Sequence, residues 1–303
     1  MKVSIIIPIY NKKEYTQKCL ESIFSVGAKG DFEIIVVDNG STDDSRKYIK
    51  GLGEKVRVVE HDNNLGFAKA CNNGTKVAKG EYLLILNNDT TVTPGWLDVL
   101  VNELENNKQI GIVGSKLLYP NGTIQHAGVV FDDKKWPNHI YKMEPKDGPY
   151  ANKKRQFQAL TGACLMIRSD VFNKVGGFDE AYINGLEDLD LCFKVKELGL
   201  GVLYCPESVI YHHESITEGR SNCDERNVKT FYSRWKEKIK IDYQDYLKED
   251  GREDMGEFVI LSNSRELSLK KIIYLIGRFV TVIKRDGFGW ALAKVWRRLT
   301  LKI

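Results

Sequence analysis

The 303-residue chain has no cysteine pair at C-x-x-C spacing. Its six cysteines (Cys19, Cys71, Cys164, Cys192, Cys205, Cys223) are scattered. That speaks against a zinc site and a disulfide framework, and it fits a reducing cytoplasm. No G-x-G-x-x-G follows an apolar run, so a nicotinamide or flavin fold has no support, and no G-x-x-x-x-G-K-[ST] is present to form a P-loop. A signal peptide is not expected either. The apolar run before Pro8 is only five residues long and reads as a buried strand. Internal repeats and low-complexity tracts are also missing.

A broad basic surface is lacking as well. The net charge is +4, but residues 270–303 hold nine Lys or Arg against the single acid Asp286, which makes the tail +8 and leaves −4 for residues 1–269. A nucleic-acid binder needs its basic stripe on the recognition surface, so that class is excluded. Apolar content of 42% and charged content of 28% are ordinary for a globular protein of this length, which can bury a core without staples.

What is present is alternation. Apolar, β-branched runs at 3–8, 32–37, 56–60 and 82–86 are separated by segments with helical spacing at 12–25, 65–79 and 94–105. Between the second run and the next helix, Ser41 or Thr42 is the expected N-cap. Strands buried on both faces and joined by helices predict a parallel, doubly wound α/β sheet. Ligands bind such sheets beyond the carboxyl ends of the strands. Polar clusters stand at three of those ends: Tyr10-Asn11, Asp38-Asn39-Gly40-Ser41 and Asn87-Asn88-Asp89. Further on, 132–156 is polar, contains three prolines and reads as a mobile loop. A strand is expected at 159–167 with Thr161-Gly162 inside it, a helix at 186–198, and two short strands at 202–204 and 209–211.

Several of these residues suit transfer from a nucleotide-diphosphate donor. A departing diphosphate needs a divalent cation or arginines, and the attacking hydroxyl needs a base. Asp38 could accept a hydrogen bond from the base or ribose, or simply form a turn. Asp89 could bind a metal, or cap a turn. Glu187, Asp188 and Asp190 crowd the first turn of a helix. The macrodipole welcomes acids there, but it hardly demands three. Asp188 as base, with Glu187 and Asp190 orienting it or the acceptor, is the sharper reading. His212 and His213 could complete a metal shell, and Arg220 could neutralise phosphate or be a solvated surface charge.

Taken together, these stretches resemble family 2 glycosyltransferases of the GT-A fold, in the branch that builds bacterial surface polysaccharides. The matching segments are VSIIIPIYN, EIIVVDNGSTDDS, NLGFAKACNNG, YLLILNNDT, TGACLMIRSDVFNKVGGFDE, EDLDLCFKVKELG and VIYHHES, which span about residues 3–215. The resemblance implies a Rossmann-like, mostly parallel sheet with helices on both faces and a C-terminal helical extension. It implies a nucleotide-sugar half at 1–115, an acceptor and catalytic half at 116–225, and an extension at 226–303. Pro8, Tyr10 and Asn11 would line the nucleotide pocket, Asp38 would contact the nucleoside, and Asn64, Gly66 and Phe67 would belong to a donor-side loop. Asn87 and Asn88 precede Asp89, which matches the last position of the family's Asp-x-Asp metal motif. Asn87 departs from the first position and removes a negative charge. Asp188 matches the catalytic base. His212 matches a metal-completing histidine, with His213 as the alternative.

The implied reaction is a single displacement with inversion, with manganese or magnesium as cofactor. The donor would be a UDP- or dTDP-linked sugar and the acceptor a glycan or polyprenol-linked hydroxyl. Oligomeric state stays open. The competing readings are a sugar nucleotidyltransferase, which would release pyrophosphate, and a degenerate nucleotide-sugar-binding protein. Residues 270–303 repeat apolar positions at helical spacing but are interrupted by Arg278, too short a run to span a bilayer. Their apolar faces would lie on the inner surface of the cell membrane, or pack on the body or on a second subunit.

Overall fold

The computed structural model describes residues 2–26, 31–213 and 225–252. Arg220 and the tail 270–303 lie outside them. The chain opens with β1 (Val3–Ile9), α1 (Lys13–Val26), β2 (Phe32–Asn39), α2 (Ser45–Gly51), β3 (Arg57–His61), α3 (Phe67–Lys76) and β4 (Tyr82–Leu86). It continues through β5 (Thr90–Val92), α4 (Trp96–Asn106), β6 (Ile110–Leu118), β7 (Ile124–His126), β8 (Val129–Phe131), β9 (Pro137–His139) and β10 (Arg155–Gln156). The last elements are β11 (Cys164–Arg168), α5 (Ser169–Lys174), α6 (Glu187–Glu197), β12 (Gly201–His212), α7 (Glu225–Trp235) and α8 (Tyr243–Glu249). Residues through Ile241 form one compact unit, and Asp242 begins a second, to which α8 belongs.

The fold is the expected α/β one. Among the described residues, ten strands form one sheet whose main path runs β10-β12-β6-β11-β4-β1-β2-β3. Pairs β1–β2, β1–β4, β2–β3 and β6–β12 are parallel, while β11 runs antiparallel between β4 and β6. The inner strands are mostly apolar because both faces of the sheet are covered; Ile5, Ile6 and Ile7 in β1 are all buried. α3 approaches β1 and β2 so closely that a Cβ on Gly74 would lie 2.6 Å from Ile6 Cγ2 and 2.8 Å from Val37 Cγ2.

Four local expectations need correction. α2 starts at Ser45 with Asp44 at its N-cap and no side-chain capping bond, because Ser41 and Thr42 are tied to Asn11 instead. β11 starts only at Cys164, since the Gly162 N–H is diverted to the Asp188 carboxylate and cannot join the ladder. The two short strands expected near 202 and 209 are one strand, β12, whose register shifts between Cys205 and Val209, around Pro206. The segment expected to be a mobile loop holds β9 and β10. Asp132 braces its start by accepting the N–H groups of Lys134 and Trp136.

Gly74→Ala tests how closely α3 and the sheet are packed. Alanine favours a helix over glycine by about 0.8–1.0 kcal/mol, whereas overpacking costs about 1–3 kcal/mol. Urea unfolding is expected to show a net loss of up to about 2 kcal/mol, where an exposed helical glycine would show a gain.

Candidate active site

The register between β5 and β12 builds the first half of the site. Antiparallel pairing sets Thr90 opposite His212, and the His213 N–H donates to the Asp89 carbonyl at 2.9 Å. His212 Nε2 therefore stands 3.0 Å from Asp89 Oδ1, with both side chains buried. Gln125 in β7 lies behind the ring. Its Oε1 is 2.6 Å from His212 Nδ1, and its Nε2 donates to the His212 carbonyl at 3.4 Å. The second bond fixes the amide's orientation, so Nδ1 carries the proton it gives to Oε1. The Asn87 Nδ2 stands 3.3 Å from Nε2, placed to donate to it. Nε2 faces the carboxylate either as an N–H donor to Oδ1 or as a lone pair that, with Oδ1, can ligate a cation.

Asp89 and His212 are thus chemically suited to a divalent ion, and the Gln125 contact is the usual outer support for a ligating imidazole. Among the described residues no group of three or more His, Cys, Asp or Glu side chains could by itself hold a metal. The remaining positions would have to come from substrate oxygens and water, which is how magnesium-type sites commonly complete their shells. Asn87, in place of an acid, lowers the negative charge here but supplies an N–H to the histidine.

The second half is the start of α6. Asn184, Gly185 and Leu186 all have positive φ (55°, 139° and 71°), and Leu186 is the N-cap. A left-handed leucine costs about 1–2 kcal/mol. That strain turns the chain sharply into the first helical turn. Asp188 is fixed there by two backbone donors, Gly162 N–H at 2.7 Å and Leu189 N–H at 2.9 Å. A Cβ on Gly162 would lie 3.1 Å from Asp188 Cβ, so a larger residue would press on the carboxylate. Glu187 is buried and accepts the Gly185 N–H at 2.5 Å, bracing the strained turn.

Both halves border one cavity of about 390 Å³. Asn87 and His212 line one part, Glu187 and Asp188 another; Phe67, Thr161, Gly162, Asn184–Leu186 and the β8–β9 hairpin complete it. Asp89 does not line the cavity; its Oδ1 stands 3.0 Å from His212, which does.

Other sequence candidates sit elsewhere. Asp190 is fully buried and takes hydrogen bonds from Tyr182 Oη, Arg234 and Trp235 Nε1, with Lys194 3.0 Å away. It anchors α6 to α7 and does not line the cavity. Asp38 is also fully buried, its Oδ1 accepting the Ser41 N–H and its Oδ2 bonded by Arg46 Nε, so its carboxylate organises the turn after β2. Asn11 Oδ1 accepts the N–H groups of Thr42 and Asp43, and Pro8 and Tyr10 flank it at the end of β1, both half-buried. Asn64 Oδ1 accepts from Asn39 Nδ2 and Gly66 N–H, which shapes the turn into α3. The Phe67 N–H then donates to Asn184, joining the two loops. Asn88 donates to Thr16, and the His213 ring packs edge-on against Tyr15. Burial holds the His213 pKa below its ordinary value, against the opposing pull of Asp89.

The structure adds residues that the sequence did not single out: Gln125, Pro137, Asn138, His139 and His126. His126 is buried with its Nδ1 2.7 Å from His139 Nδ1. Burial, with smaller contributions from His139 and His212, pushes its pKa well below the ordinary 6.5. The folded state thus refuses a proton that the unfolded state accepts, so stability falls as pH drops below that ordinary value. His126 should contribute a slope of ~1.4 kcal/mol per pH unit below about pH 6.5. Urea unfolding of His126→Gln across this range is expected to be flatter than wild type by that amount.

The family description "Glycosyl transferase family 2" matches residues 4–176. "Uncharacterized protein y4gI" of Sinorhizobium fredii is 34% identical over 250 residues, covering 77% of this chain and 27% of that protein. "O-antigen biosynthesis protein RfbC" of Myxococcus xanthus is 33% identical, over 71% of this chain and 18% of its own length. This chain therefore spans between about a sixth and a quarter of those two relatives. An N-acetylglucosaminyl-diphospho-decaprenol L-rhamnosyltransferase of Mycobacterium tuberculosis is 24% identical, covering 71% of this chain and 77% of the relative. The crystal structure of GalNAc-T7 with UDP, GalNAc and Mn2+ superposes with a TM-score of 0.59 at 18% identity, over 70% of this chain and 44% of that one, which supports the GT-A fold. By the extent of the family match, this chain belongs to glycosyl transferase family 2.

Proposed function

We propose that this chain is an inverting, metal-dependent glycosyltransferase of cell-surface polysaccharide synthesis. It moves a sugar from a UDP- or dTDP-linked donor to a hydroxyl of a glycan or polyprenol-linked acceptor, in the cytoplasm at the inner face of the membrane. The observation that carries this reading is the single cavity bordered by Asn87 and His212 on one side and Asp188 on the other. The O-antigen and rhamnosyltransferase names of two relatives support the polysaccharide setting. Among the described residues no helix is long and apolar enough to cross a membrane.

Asp89 and His212 would hold manganese or magnesium together with the donor's diphosphate, and the ion would neutralise charge on the leaving group. Asp188 accepts the proton of the acceptor hydroxyl. The acceptor oxygen bonds to the anomeric carbon as the bond from that carbon to the diphosphate oxygen breaks. Attack opposite the leaving group inverts the centre, and no covalent glycosyl-enzyme forms. Holding both substrates in one cavity supplies much of the rate by positioning. The donor half at 1–115, the acceptor half at 116–225 and the extension from 226 are part of the same proposal.

Asp188→Asn keeps the shape of the side chain and removes its basicity. Sugar transfer, followed as nucleoside diphosphate release in the presence of acceptor, is expected to fall about a hundred- to ten-thousand-fold. The thermal shift induced by UDP or dTDP with manganese should persist. Transfer by Asp188→Asn near the wild-type rate would remove Asp188 from this role.

A further inference from the structure

Beside the cavity, Trp136 is an exposed aromatic held in place from behind. Trp136 is 47% exposed. The indole stacks on Tyr232 of α7, with centroids 6.0 Å apart and planes inclined by 15°. It makes no other ring or side-chain hydrogen-bond contact among the described residues. The backbone around it is rigidly tied. Asp132 Oδ1 accepts the Trp136 N–H at 2.8 Å, and Tyr232 Oη donates to the Lys135 carbonyl at 2.8 Å. The three residues that follow, Pro137, Asn138 and His139, line the cavity.

A second exposed apolar residue, Ile183, is 51% exposed and immediately precedes the cavity-lining Asn184. It too is set by α7, since Asn227 Nδ2 donates to the carbonyls of Ile183 and Gly185. One helix thus positions an exposed apolar group on each of two segments that border the same cavity.

We propose that Trp136 is the platform on which a pyranose ring of the acceptor stacks, next to the hydroxyl that Asp188 deprotonates. This rests on the glycosyltransferase reading and deepens it. An indole backed by Tyr232 offers a flat, electron-rich face, which attracts the C–H edges of a sugar ring, and its rigidity limits the entropy lost on binding. A lipid chain fits less well. It would need a continuous apolar surface, and here two single side chains are set beside the polar Asn138 and Asn184.

The test uses the full chain carrying fluorinated tryptophan, with Trp136 assigned by Trp136→Phe. The probes are the methyl pyranosides of glucose, galactose, N-acetylglucosamine and rhamnose and, separately, octyl phosphate. We expect the Trp136 fluorine signal to shift with at least one pyranoside and to ignore octyl phosphate. Saturation-transfer signals from that pyranoside should weaken about tenfold in Trp136→Ala and largely survive in Trp136→Phe. A Trp136 signal unmoved by all four pyranosides, or moved only by octyl phosphate, overturns the proposal. A thermal shift of the wild-type chain by UDP or dTDP with manganese reads the underlying function separately. If nucleotide binds while Trp136 stays unmoved, the platform alone falls. If neither nucleotide binds, the glycosyltransferase reading falls with it.

Discussion

His212 Nε2 and Asp89 Oδ1 face each other at 3.0 Å, while Gln125 Oε1 engages Nδ1 on the other side of the ring. Both are buried, so water screens their interaction little. The sheet sets the contact, because antiparallel pairing places His212 opposite Thr90, next to Asp89. The pair offers one nitrogen and one oxygen to a cation, and in the proposed reaction that cation would offset the charge of the leaving diphosphate. The proposed donor side of the cavity rests on this one contact.

The acceptor side is held by a different device. Three residues of positive φ lead into α6, and their strain is offset by the Glu187 carboxylate on Gly185 and by the burial of Asp190 against Tyr182, Arg234 and Trp235. Asp179 strengthens the α7 anchor. Burial alone would raise its pKa, but the Ala181 N–H and Arg234 hold it below the ordinary carboxylate value. Of the three acids at the start of α6, Asp190 serves as an anchor and Glu187 as a brace. Glu187 and Asp188 both border the cavity, and Asp188 is held there by the Gly162 N–H on Oδ2 and the Leu189 N–H on Oδ1.

Much of the fold was legible because parallel strands covered on both faces must be continuously apolar, and the runs that became β1, β2 and β4 are nearly so, whereas β3, at the end of the sheet, carries Arg57, Glu60 and His61. The carboxyl-end clusters were legible for the same reason, since the sheet type dictates where they lie. Register was not legible. Nothing local in the sequence says that Gln125 would stand behind His212, because those residues meet through β7, β6 and β12, and a one-residue slip would turn each side chain to the other face. The hairpin holding Trp136 and His139 was hidden as well. Its polar, proline-bearing sequence resembles loop, and its order comes from Asp132 and α7, partners remote from any periodic pattern. Asp38 looked like a ligand-facing acid, and only its contact with Arg46 reveals how its carboxylate is engaged.

The proposed sharing of a cation by Asp89 and His212 is tested most directly by spin-echo spectroscopy of manganese added to the full chain with UDP or dTDP. A directly coordinated nitrogen is expected in the wild-type spectrum and should vanish in His212→Gln. A manganese centre with no coordinated nitrogen, or one whose nitrogen signal survives that substitution, would contradict a metal held between these two side chains.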